Sequence, residues 1–157
     1  MFSKNKKSAL ILTGISVVLI IMGYLGSMNS KEYYNSLILP ELAPPSVVFP
    51  IAWGIIYTLM IAGAVIITLY TLDSEKKSDA IRIYFVQLII NVIWPYLFFV
   101  FKANTFSFIW LLILFLAVVV TFKSFYNLNR LSAYLYIPYL LWLVYAGYIN
   151  LGVAMLN

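Results

Sequence analysis

Histidine and cysteine are both absent from this sequence. Their absence excludes His- or Cys-ligated zinc, iron–sulfur and haem sites, along with cysteine nucleophiles and histidine-based triads. An iron porphyrin would have to take Tyr or Met as its axial ligand. Acidic residues are equally scarce: Glu32, Glu41, Asp73, Glu75 and Asp79 are the whole set. No acid–base pair is left for ordinary hydrolysis, and no metal site is expected.

Charge as a whole is thin, at 10% of residues against 64% hydrophobic. Soluble domains carry about 25% charge, so the composition is that of a membrane protein. Five charge-free stretches run 8–30, 42–72, 83–101, 103–122 and 131–157. Each is close to or above the ~20 residues that a helix needs to cross ~30 Å of hydrocarbon. Backbone groups in lipid must find partners within their own segment, which makes these runs helices. The expected fold is all-α: one bundle of five transmembrane helices at about 8–26, 46–72, 80–101, 104–126 and 131–155, forming a single domain over 1–157. The basic, apolar start could pass for a signal peptide. Its long apolar core and the lack of an A-x-A site favour a retained first helix. No acidic residue falls inside a span, which weighs against proton-coupled pumps. Five spans without a repeat do not form two equal inverted halves.

Lysine and arginine set the expected orientation. Lys4, Lys6, Lys7, Lys76, Lys77, Arg82, Lys123 and Arg130 fall on one side, and Lys31 and Lys102 on the other. That places the N-terminus in the cytoplasm, with the C-terminus and the connection 27–45 outside. Topology thereby accounts for the net charge of +5, and nucleic acid is not an expected partner. The connection 73–80, "DSEKKSDA", reads as a solvated turn. The connection 27–45 is long enough to fold over the bundle mouth.

Proline is concentrated just there, at Pro40, Pro44, Pro45 and Pro50. Each ring restricts its own backbone and that of the residue before it, so the segment is stiff. Ser46 is positioned to cap the second helix, and Pro50 is tolerable in its opening turn. A fixed lid and a sharp helix start both fit. Phe49, Trp53, Tyr57 and Met60 form one stripe on that helix, either a packing face or a wall of a site. On the third helix Gln87, Asn91 and Trp94 share a face that must point inward, as interhelical glue or as polar anchors in a cavity. Pro95 cannot donate to the Asn91 carbonyl, so a bend that opens space is expected there. On the fifth, Pro138, Trp142, Tyr145 or Ala146, and Ile149 lie along one side, with Asn150 a further buried amide.

Three of these regions, "PELAPPSVVFPIAW" (40–53), "QLIINVIWPYLFF" (87–99) and "RLSAYLYIPYLLWLVYAGYIN" (130–150), resemble the signature regions of the TspO/MBR family of tryptophan-rich sensory and translocator proteins. The resemblance covers helices 2, 3 and 5 in order. It implies a five-helix bundle, commonly a homodimer, in the plasma membrane of a bacterium, with a ligand cavity near the loop-bearing end. Family members bind porphyrins such as protoporphyrin IX, and some bind sterols or isoquinoline and benzodiazepine drugs. Some bacterial members degrade porphyrin in light, and transport of tetrapyrroles is a further implied role. By position, Pro44 and Pro45 match loop prolines and Tyr34 an aromatic of the covering loop. Tyr57, Asn91 and Ala146 match cavity positions. Trp53 and Trp142 match the tryptophans tied to porphyrin breakdown, and would be catalytic only if such photochemistry occurs.

The expected ligand site is Tyr34, Pro44, Pro45, Trp53, Tyr57, Asn91, Trp142 and Ala146, as the resemblance implies, together with Phe49, Gln87, Trp94 and Pro138 from the helical stripes. Porphyrin or another planar apolar molecule is the ligand, membrane lipid a further partner, and no cofactor is called for. The chain also departs from the pattern. Leu42 and Val47 stand where tryptophans are frequent, Pro95 replaces a small polar residue, and Asn129 an acidic one. The C-terminal sterol motif is absent, although a reversed form, Arg130-x3-Tyr134-x5-Leu140, is present.

Overall fold

The computed structural model describes residues 2–157; Met1 and the side chains of Phe2, Ser3 and Lys4 lie outside the described residues. Seven α-helical segments and one π-helical segment follow one another: α1 (Phe2–Leu25), α2 (Ser30–Ser36), α3 (Val48–Tyr70), α4 (Ser74–Pro95), the π segment (Tyr96–Val100), α5 (Asn104–Tyr126), α6 (Arg130–Tyr134) and α7 (Ile137–Leu156). Five spans are long and apolar enough to cross a membrane: α1, α3, α4 with the π segment, α5, and α6 with α7. Around the bundle the order is α1, α4, α5, α7, α3 and back to α1.

Side chains such as Met60, Ile67, Leu88, Leu114 and Val118 fill the centre, while Leu10, Val18, Ile51, Leu116 and Leu141 project outward. With lipid as solvent, an apolar exterior costs nothing, so packing and interhelical hydrogen bonds must hold the helices together. Ser16 Oγ and Tyr84 Oη share a hydrogen bond of 2.7 Å between α1 and α4. Trp110 Nε1 donates to the Ile90 carbonyl at 2.8 Å, joining α5 to α4.

Several boundaries depart from the sequence reading. The expected turn 73–80 is the first part of α4, started by the Asp73 carboxylate, which accepts from the amides of Glu75 (3.1 Å) and Lys76 (3.0 Å). These bonds, the one from the Lys76 amide foremost, hold the Asp73 carboxyl below its ordinary pKa. Ser46 does not cap α3. Val47 occupies that position with no side-chain bond, and the Val48 amide donates to the Pro45 carbonyl instead. The fifth span is broken at Leu135–Tyr136, and Pro138 opens α7, where its missing N–H costs little. Beyond Pro95 the helix widens into the π segment, whose end is marked by Phe101 N–H donating to Tyr96 O at 2.8 Å.

Candidate functional site

The loop end of the bundle is closed by residues 27–45, folded over it. α2 seats Tyr34 inward, only 3% exposed, and its hydroxyl donates to the Pro44 carbonyl at 2.9 Å. Burial, with the Tyr145 phenol nearby, pushes the Tyr34 pKa up to about 12, so it stays a neutral donor. The cover is tied to α7 at three points. Tyr145 Oη donates to the Leu42 carbonyl at 2.8 Å. The Asn157 amide both accepts from Ile38 N–H (2.9 Å) and donates to Ile38 O (3.0 Å). Pro40 rests on Gly152, where an added Cβ would come within 2.7 Å of the ring. A fourth tie reaches α5, from Tyr33 Oη to Asn104 Oδ1 at 2.9 Å.

Beneath the cover the aromatic stripe of α3 meets α7. Trp53 stacks on Tyr57 (centroids 5.4 Å apart) and meets Tyr139 edge-on at 5.9 Å and Trp142 at 6.4 Å. Phe49 bridges Trp142 (5.8 Å) and Tyr34 (5.0 Å). Asn91 is the hub below them: its Oδ1 accepts from Tyr57 Oη at 2.7 Å, and its Nδ2 donates to Tyr139 Oη at 2.6 Å. One N–H and the Oδ1 of this buried amide are each engaged by a phenol from a different helix. α3, α4 and α7 are thereby locked in register.

The other expected residues fall in different places. Trp94 stacks on Phe98 at 5.2 Å and donates to Asn150 Oδ1 at 3.1 Å, in a second cluster with Ser107. Gln87, one helical turn from Asn91, donates to Met60 Sδ at 3.6 Å. Pro44 is half-buried; Pro45 and Pro138 are exposed. The inward face of α7 is Tyr139, Leu143, Ala146, Ile149 and Asn150, one residue out of phase with the stripe expected from Pro138 and Trp142, which leaves Trp142 half-buried at its margin. The two clusters meet at a void of about 10 Å³ flanked by Tyr34, Phe49, Trp94, Ala146 and Asn150, the room of a single water. Pro95 therefore opens no space, because Trp94 and Phe98 fill the bend.

Tyr139 was not anticipated, although it sits three residues before Trp142 and seven before Ala146, a spacing that places all three on neighbouring rows of a helix. In the sequence Lys102 bears only on topology. Its ammonium lies 5.1 Å from the centre of the Tyr33 ring and adds a second cation to Lys31 at the loop end. Three buried polar atoms lack a partner among the described residues: Gln87 Oε1, Tyr136 Oη and Trp142 Nε1. Each costs about 1–3 kcal/mol when left unmade.

Such a bundle is an integral membrane protein with aromatic and amide side chains gathered under a folded cover. The TspO/MBR family model matches residues 10–156, and the chain belongs to that family. It is 31% identical over 130 residues to a tryptophan-rich sensory protein of Cereibacter sphaeroides, covering 83% of this chain and 80% of that one. Protein CrtK of Rhodobacter capsulatus is 30% identical over 125 residues, covering 80% and 78%. Translocator protein of Bos taurus is 28% identical over 142 residues, covering 87% and 84%.

Proposed function

We propose that this protein is a membrane receptor for a planar, largely apolar molecule of the porphyrin type, held between the aromatic cluster and the cover. The observation that carries this reading is Trp142 Nε1, a buried donor with no acceptor among the described residues, in a cluster where Trp53, Tyr57 and Phe49 supply ring faces. A flat guest with polar edges would supply the missing acceptor and stack on the indoles. Lys31 and Lys102 would meet carboxylates at the guest's rim. The void of about 10 Å³ is far below the ~300–1,000 Å³ of ordinary ligand pockets. Entry therefore requires the cover to lift away from α7.

Protoporphyrin IX titrated into the purified protein should quench tryptophan fluorescence saturably. Trp53→Phe and Trp142→Phe should each weaken binding about tenfold, as expected for the loss of roughly 1–1.5 kcal/mol of stacking. Unsaturable quenching, unchanged in both variants, would defeat the proposal.

The indole pair favours a second reading. Trp53 and Trp142 are in edge contact at 6.4 Å, so a porphyrin stacked on one indole would have a second indole electron donor beside it. A new absorption product under light, lost when both are Phe, is the expected sign. Facilitated passage of the same guest across the membrane is a third use of the site, tested by flux into proteoliposomes.

A further inference from the structure

At the opposite, basic end, α1 and α4 line an open groove of about 370 Å³. Its walls are mostly apolar, with Ile11, Leu12, Ile15, Ile81 and Phe85 facing it among three serines and a threonine, and its lining includes Lys77 and Arg82. Ile11 and Ile15 are about half exposed, so the groove opens onto the surroundings of the bundle. Lys77 lies at its mouth, where its ammonium donates only to neutral acceptors, Asn5 Oδ1 at 3.5 Å and Thr71 O at 3.3 Å. These are long bonds for an ammonium, and no carboxylate pairs with it among the described residues. Arg82 is bound to Asp79 at 3.2 Å, but both side chains are more than half exposed. Such a pair is worth little, and the guanidinium keeps N–H donors to spare.

We propose that this groove binds one anionic phospholipid, its phosphate against Lys77 and Arg82 and one acyl chain along the apolar wall. Position agrees with this occupant. Lys77 and Arg82 lie just before the charge-free stretch 83–101, at the level of a headgroup phosphate, and Phe85 with Ile11 and Ile15 of α1 continues the wall from there. Charge agrees as well. A second copy of the chain docked symmetrically on the groove would bring its own Lys77 and Arg82 towards these two, whereas a phosphate neutralises them.

Native mass spectrometry of the detergent-purified full chain, titrated with phosphatidylglycerol and with phosphatidylcholine of the same acyl chains, tests the proposal. Phosphatidylglycerol should bind more tightly, by about fivefold for each engaged cation. Lys77→Gln with Arg82→Gln should abolish the preference, while Lys123→Gln with Arg130→Gln, the same charge loss elsewhere at that end, should preserve it. Circular dichroism confirms that both variants are folded. A photoactivatable phosphatidylglycerol should crosslink to residues 8–15 and 77–85, and excess inorganic phosphate should not displace it. Equal binding of the two lipids, a preference that survives the Lys77/Arg82 change, crosslinks elsewhere, displacement by phosphate, or a dimer that buries the groove would each overturn it.

Discussion

Asn91 shows how much one side chain can hold in a membrane. It meets Tyr57 at 2.7 Å and Tyr139 at 2.6 Å, and its replacement leaves two phenols without partners in a place water does not reach. Interhelical hydrogen bonds in bilayers contribute only ~0.6–2 kcal/mol each, so Asn91→Ala should lower stability by about 1–3 kcal/mol. Unfolding of the detergent-solubilised protein by SDS measures this. A Tyr139→Phe variant should lose about half as much, because it removes one bond and leaves Tyr57 paired. In the sequence, Asn91 was recognisable as an inward amide from its mid-span position. Its partners were not, since a phenol thirty or fifty residues away is brought near only by helix packing.

At the scale of the element, the start of α4 and the cover invite separate tests. The Asp73 cap works as a carboxylate, and its pKa lies below the ordinary value in the folded protein. Its contribution is therefore present at neutral pH and fades as pH falls from about 3.9 through the depressed folded value. Asp73→Asn should behave like the parent at pH 7 and lose less Tm in acid, because the amide oxygen still caps; thermal melts across pH follow this directly. The signal was present in the sequence as Asp73 with Glu75 in the first turn, but the density of charge there suggested solvent. In the cover, Gly152→Ala pushes a methyl to 2.7 Å from Pro40. Overpacking costs about 1–3 kcal/mol, so hydrogen exchange over residues 37–45 should quicken about tenfold. Gly147→Ala, whose nearest contact is an ordinary 3.6 Å, should leave exchange there unchanged.

For the whole molecule, all five spans put their loop-end termini under one cover and their basic termini at the other face. The charge bias leads us to expect the basic face in the cytoplasm. Because the chain has no cysteine, single substitutions report this cleanly. In bacterial cells expressing the protein, Glu41→Cys should react with an impermeant maleimide when the cells are intact, and Ser78→Cys only after lysis. The reverse pattern would invert the orientation. The cover is held both by hydrogen bonds and by Tyr34, Leu37 and Leu39 packed on the core, so a guest that enters by lifting it has to displace both. The polar ties at Leu42, Ile38 and Asn104 can be exchanged for water, whereas the seat of Tyr34 against Phe49 has to open.

Sequence alone determined the number of spans and their approximate limits, because the cost of charge and of unpaired backbone in hydrocarbon is local and needs no knowledge of neighbours. It also determined which residue types could act, since no folding creates a histidine or a carboxylate where none exists. Tertiary structure decided how the aromatic residues divide between two clusters, which face of α7 turns inward, and how little space is left between them. Those depend on side chains from separate helices competing for the same volume, and a helical period specifies a face without specifying what it meets.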